Sequence, residues 1–259
     1  NRKMSIPPES FLKIRHPESI LDAYGRDILI HNRIPFLLQG SQLFSTLKPQ
    51  EQHRLPSITE LRNRIDQMKK NRAKQCLRLQ FLTASRTGEI AGPHGIKAGD
   101  LQQTTYENHP VALFTVKCEK VKERAKIIAL PLQESYEPWT QSILEYFKRK
   151  QPDELAFDVS TRQMEIDAAE AFKELWYWIS EYGDVLGHWK KFSTHALRYM
   201  RTDQLIAYYG FDGLDLAIFC GWSLRTEQSM PAMGARYASL IYRQWSRYFP
   251  KLLKPLSVT

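Results

Sequence analysis

The chain has 259 residues, enough for one large domain or two small ones, and its 42% apolar content is globular and excludes a disordered chain. No apolar run reaches the roughly 20 residues of a membrane span, and no secretory signal is visible at its start. Lys and Arg number 37 against 28 Asp and Glu, a net charge of +9 that favours a polyanionic partner.

Three cysteines, Cys76, Cys118 and Cys220, sit in apolar or strand-like runs without metal-ligand spacing, so buried free thiols and a reducing, intracellular location are expected. Residues 1–54, with Pro7-Pro8 and the polar stretch 48–54, carry too little pattern for a domain. They read as an arm, or as the remnant of a domain upstream, ahead of a main domain over residues 55–259.

Ser57-Ile58-Thr59-Glu60 has the form of a capping box, and Leu61, Ile65 and Met68 continue from Ile58 at helical spacing. A second helical run over 73–82 is more apolar and is expected to be buried. It leads into Thr83-Ala84-Ser85-Arg86-Thr87-Gly88-Glu89-Ile90. An arginine delivered by a turn directly after a buried helix is either an ordinary surface residue or one placed to meet a fixed anion.

Over 101–132 the pattern becomes strand-like. Residues 101–106, 111–118 and 126–132 are expected to form three antiparallel strands, with a turn at Glu107-Asn108-His109-Pro110 and a charged hairpin tip, Glu119-Lys120-Val121-Lys122-Glu123-Arg124. Beyond Pro138 helices are expected throughout: 139–150, then 167–182 with Ala168, Phe172, Leu175, Trp176 and Ile179 as a core stripe. A helix capped by Ser193 or Thr194 follows, then a short run over 212–220 ended by Gly221-Trp222-Ser223. A polar loop containing Pro231 precedes a last helix over about 235–248.

His195 and Arg198 stand three residues apart on the helix opened by Ser193-Thr194, so their side chains leave neighbouring positions. A permanent cation beside a group that titrates near neutrality suits a site that grips a phosphate and moves a proton. Alone the pair is common on solvated helices; the order of its companions gives it weight.

That order is Arg86, a lysine hairpin, His195 and Arg198, Trp222 after a glycine, then Tyr237. In it the sequence resembles the catalytic domain of tyrosine recombinases, the phage-type and archaeal integrases, over roughly residues 55–250. The family's first box, Thr-Gly-x-Arg-x-x-Glu, is matched by Thr83 to Glu89 with Ala84 at the glycine position. Its His-x-x-Arg box is matched by His195 to Arg198, its Gly-His/Trp box by Gly221-Trp222, and its nucleophile by Tyr237 in Gly234-Ala235-Arg236-Tyr237. The hairpin lysine falls among Lys117, Lys120 and Lys122, with Lys120 favoured. The interval from Trp222 to Tyr237 is longer than the family's commonest spacing and leaves Tyr242 as an alternative.

The resemblance implies an α+β, mainly α-helical fold, the tyrosine-recombinase catalytic fold with a small three-stranded antiparallel sheet. It implies a site-specific DNA recombinase or integrase of a virus or mobile element, cleaving and rejoining DNA through a 3′-phosphotyrosyl intermediate without metal, ATP or other cofactor. Arg86 and Arg198 would neutralise the phosphodiester with bidentate hydrogen bonds, Tyr237 would attack, and His195 and Lys120 would move protons. Trp222 would donate its indole N–H to a phosphate oxygen or else pack as a core tryptophan, and Glu89 would orient its surroundings. Lys122, Arg124 and Arg201 are expected on the DNA backbone. The expected partners are double-stranded DNA at specific sites and copies of the chain itself, as a tetramer on DNA, with no membrane. Residues 252–256 would dock on a neighbouring copy or on their own. The rival readings are a type IB topoisomerase and a catalytically silent DNA-binding relative.

Overall fold

A computed structural model describes residues 56–119, 125–179, 188–222 and 244–256. Contacts divide the chain into two units, residues 58–172 with 193–259, and residues 1–57 with 173–192. The boundary expected at 54 lies outside the described residues.

In the larger unit, helix α1 (Ile58–Asp66) leads to α2 (Asn71–Leu82), which is central. Cys76, Leu77, Leu79, Phe81 and Leu82 of α2 are buried, as its apolar run indicates. Around it pack α1, the single turn α3 (Thr87–Ile90), and three helices further along: α4 (Pro138–Phe147), α5 (Thr161–Ala171) and α6 (Thr194–Ala207). Charged side chains brace this layer from inside. Arg62 grips Glu137 through two bonds of 2.8 and 2.6 Å and lies 4.2 Å from the Trp139 ring centre. The fork satisfies both carboxylate oxygens while the guanidinium face covers the indole.

Strands β1 (Leu101–Tyr106), β2 (His109–Lys117) and β3 (Ala125–Pro131) form an antiparallel sheet in that order, so the fold is α+β with a small three-stranded sheet. Tyr106 pairs with His109, which leaves Glu107 and Asn108 as a two-residue turn, both at positive φ (45° and 69°). Positive φ at both central positions is what a tight hairpin turn needs to match the twist of its strands.

The sheet's β3 edge meets α7 (Gly213–Cys220), a 3-10 turn (Gln244–Arg247) and α8 (Phe249–Leu252). Between the last two, buried Tyr248 lays its hydroxyl along the edge strand, accepting from the Ala129 amide at 2.9 Å and donating to the Ile127 carbonyl at 3.4 Å. Arg247 bonds to Asp212 at the start of α7 at 2.6 Å. The segment after α8 packs on its own chain: Lys254 donates to the Tyr208 carbonyl at 3.0 Å, and the Tyr208 hydroxyl donates to the Pro255 carbonyl.

Of the helix expected over 167–182, only 167–171 is helical, 176–179 is a strand, and 180–182 lie outside the described residues. Helix α5 starts earlier, capped by Ser160, whose hydroxyl accepts from the Gln163 amide at 3.1 Å, and ends at Ala171. After Glu174, at φ 71°, the chain enters strand β4 (Trp176–Ile179), paired antiparallel with β5 (His188–Lys191) in the smaller unit. Leu175-Trp-Tyr-Trp-Ile179 is aromatic and β-branched, and a short continuous apolar run of that kind suits a strand as well as a helical stripe. Residues 235–243 of the last expected helix lie outside the described residues, and 244–247 form the 3-10 turn instead of its end. No helix among the described residues is long and apolar enough to cross a membrane.

Tyr248 supplies the partner of a buried edge-strand amide, so Tyr248→Phe is expected to cost about 1–3 kcal/mol in urea unfolding. Unchanged stability would mean the Ala129 amide is satisfied by other means.

Candidate functional site

Arg86 is positioned by the end of α2. The helix closes on Thr83, whose hydroxyl donates to the Leu79 carbonyl at 2.7 Å and bonds the Ser85 hydroxyl at 2.8 Å. Ala84, fully buried, takes φ 46°, the left-handed region where a glycine would sit without strain. This reversal sets Arg86 at the N-cap of α3. Glu89 then folds back, accepting the Arg86 amide on Oε2 at 3.0 Å and Arg86 Nη1 on Oε1 at 3.1 Å. The Arg86 side chain keeps 29% exposure while that of Glu89 has 1%.

Strand β3 brings a second cation to the same carboxylate. Lys126 Nζ lies 3.3 Å from Glu89 Oε2 and 3.5 Å from the Thr83 carbonyl, and its side chain has 2% exposure. From the end of β2, the Glu119 amide reaches Glu89 Oε1 at 3.5 Å. Three separate segments therefore converge on one buried carboxylate.

Helix α6 is bonded to this turn at its first residue. Thr87 Oγ1 lies 2.9 Å from Thr194 Oγ1, and Gln80 Nε2 donates to Thr87 Oγ1 at 3.1 Å and to the Thr194 carbonyl at 3.2 Å. Ser193 takes the N-cap position with extended backbone, without a capping side-chain bond. One turn further, Arg198 is 7% exposed. Its Nη1 is buried with no hydrogen-bond partner, and its guanidinium makes no ion pair among the described residues. It is near enough to Glu89, Lys126 and Cys220 for its charge to act on the proton affinity of each.

The end of α7 closes the cluster. Gly221 caps it at φ 69°, and a Cβ there would lie 3.2 Å from Cys118 Sγ and from Cβ and Cδ of Lys126. The backbone thus approaches the β2–β3 pair where a side chain would not fit. Trp222 follows with 41% exposure, so it is not a core tryptophan.

Burial opposes both charges of the central pair. It lowers the proton affinity of Lys126, which Glu89 restores in part. It also pushes the Glu89 carboxyl upward, but Lys126, the Arg86 amide and Arg198 together outweigh this and hold it below the ordinary 4.5. Arg86, Lys126 and Arg198 lie about Glu89, with the exposed Glu119 carboxylate against Gly88 beside them, so cations outnumber carboxylates and one buried donor, Arg198 Nη1, is unsatisfied. Such a site is complementary to an oxyanion.

Comparison with family models, curated proteins and solved structures finds no match to the chain. The site is therefore read from its own geometry.

The structure brings together Arg86, Glu89, Arg198 and the Gly221-Trp222 end of α7. His195 is exposed at the start of α6, its ring edge-on to that of Tyr199 with centroids 4.9 Å apart. It faces solvent although it is only three residues from buried Arg198. Lys117 ends β2 and is exposed. Lys120, Lys122, Arg124, Tyr237 and Tyr242 lie outside the described residues.

Arg201 is a correction. It is 1% exposed, with its guanidinium 5.6 Å from the Phe81 ring centre and 5.3 Å from that of Tyr209, and it donates to Gln204 at 2.6 Å. The helical period places it on the inner face with Leu197, Arg198, Gln204 and Leu205, so it offers nothing to a DNA backbone.

Lys126 was missed in the sequence. Its signal is the alternation of β3: positions 126, 128 and 130 all face inward, and a lysine in such a register is a charge brought inside for a reason. Cys76, Cys118 and Cys220 are buried and free. Among the described residues, no three His, Cys, Asp or Glu side chains gather as a metal site.

Because the folded Glu89 carboxyl is held below 4.5, its stabilisation is present at neutral pH and is lost as pH falls through the lowered value. Glu89→Gln is expected to cost about 3 kcal/mol at neutral pH, since it strands buried Lys126. The difference from wild type should shrink as the pH falls below 4.5. A difference constant with pH in urea unfolding would contradict the ionised pair.

Proposed function

We propose that the chain is a DNA strand-breaking and rejoining enzyme of the tyrosine-recombinase kind, acting through a covalent phosphotyrosyl intermediate. The observation that carries this reading is Arg198: a buried arginine whose Nη1 has no hydrogen-bond partner among the described residues, on a helix bonded to the turn that bears Arg86. Two fixed guanidiniums facing one oxyanion are what an in-line displacement at a phosphodiester requires, since charge builds on its non-bridging oxygens. The net charge of +9 suits a polyanionic substrate.

In the proposed step, the Tyr237 oxygen attacks phosphorus and its O–P bond forms as the bond to the 5′-oxygen breaks. The tyrosine proton passes to a base and the 5′-oxygen takes up a proton, so the phosphodiester's energy is kept in the new ester. His195, exposed at the head of α6, is the assigned acid–base group, and Lys120 on the hairpin the donor to the leaving oxygen. Arg86 and Arg198 hold the non-bridging oxygens, and Trp222, 41% exposed at the end of α7, is assigned to donate its indole N–H beside them. A 5′-hydroxyl of another strand reverses the step. Recombination requires copies of the chain paired on two DNA sites.

Tyr237→Phe is expected to bind duplex DNA and give no covalent adduct on a nicked suicide substrate, read by denaturing gel. Adduct in Tyr237→Phe together with none in Tyr242→Phe would move the nucleophile to Tyr242. Arg198→Lys is expected to slow adduct formation about 100-fold or more, because an ammonium cannot reproduce the planar fork. Near-normal rates in that variant would remove the phosphate clamp from the proposal.

A further inference from the structure

Lys126 is in the cluster but enclosed by it. Its side chain is 2% exposed, and its ammonium is engaged by Glu89 Oε2 and the Thr83 carbonyl. Its stem fills the space beside Gly221, where a Cβ would meet it at 3.2 Å. Glu89 is shared: Oε2 goes to Lys126 and the Arg86 amide, and Oε1 takes Arg86 Nη1. Arg86 thus gives one side-chain donor to the carboxylate and keeps the rest of its fork, while its side chain retains 29% exposure.

Remove the ammonium and the balance changes. The full negative charge of Glu89 would fall on Arg86, with Arg198 near enough to feel it, and a bound oxyanion would compete with a buried carboxylate for the same two guanidiniums.

We infer that Lys126 is a positioning residue of the anion site: by neutralising Glu89 it leaves Arg86 and Arg198 free to bind an oxyanion, without touching that anion itself. This rests on the reading of Arg86 and Arg198 as an oxyanion site. It separates Lys126 from the hairpin lysines Lys117, Lys120 and Lys122, one of which is assigned to proton delivery.

The test is calorimetric titration of the full chain with inorganic phosphate at low ionic strength, alongside thermal melts. Four proteins are compared with wild type: Arg198→Ala, Lys126→Met, Glu89→Gln, and Lys126→Met combined with Glu89→Gln. Arg198→Ala should lose phosphate binding; wild-type affinity in that variant would overturn the underlying site, whatever Lys126 does. Lys126→Met should weaken phosphate about tenfold or more, and adding Glu89→Gln should restore affinity to within about threefold of wild type, because both charges have then left the site. Wild-type affinity in Lys126→Met overturns the inference. So does a double variant as weak as Lys126→Met, which would make Lys126 a direct phosphate ligand or a purely architectural one. If Lys126→Met fails to fold, the neutral double variant decides alone: affinity near wild type supports the positioning role, and loss overturns it.

Discussion

A carboxylate with 1% of its side chain exposed must be surrounded by donors, and Glu89 obtains them from three segments: the Arg86 turn, the end of β2 and the start of β3. The turn after α2, the β2–β3 pair and, through Thr87 and Thr194, the head of α6 are consequently fixed relative to one another. Each element is ordinary by itself. Their convergence is set by the demand of one buried charge.

The two arginines on the inner face of α6 differ in what surrounds them. Arg201 leaves its own Nε without a partner, but it has aromatic faces on two sides and a bond to Gln204, which enclose it in the core. Arg198, one turn earlier, meets cations and a carboxylate already shared by others, and its Nη1 stays unpaired. Leaving one buried donor of a charged group unsatisfied costs about 1–3 kcal/mol or more, a cost relieved when an anion arrives. The same logic favours Lys126: its charge offsets Glu89 and leaves the surplus where an incoming anion can use it.

Much of this was legible in the sequence because local physics decided it. The strand-like runs on either side of Glu107-Asn108-His109-Pro110 indicated a hairpin, which closes more tightly on Glu107-Asn108 alone, and the apolar run of α2 indicated burial. The Thr83 to Glu89 order placed Arg86 after a buried helix with Glu89 three residues on, while the positive φ of Ala84 shows only in the structure. The 167–182 segment misled because Leu175 to Ile179 satisfies a helical stripe and a strand alike, and pairing with 188–191 decides between them. Spacing put His195 and Arg198 side by side but could not say that the edge of the buried face runs between them, with His195 outside and Arg198 inside. In the sequence Lys126 is overshadowed by the nearby lysines Lys117, Lys120 and Lys122, which lie before or within the hairpin tip. Its inward register becomes meaningful only when Glu89 is seen to occupy the other side.

The buried cationic cluster is proposed to be an oxyanion site. A crystal structure of the chain soaked in tungstate tests it directly, because the anomalous signal locates the anion independently of any assumed activity. Tungstate within hydrogen-bonding distance of Arg198 Nη1 and the Arg86 guanidinium, with the Lys126–Glu89 pair intact, is the expected result. Saturating tungstate bound elsewhere, with Arg198 unliganded, would contradict it.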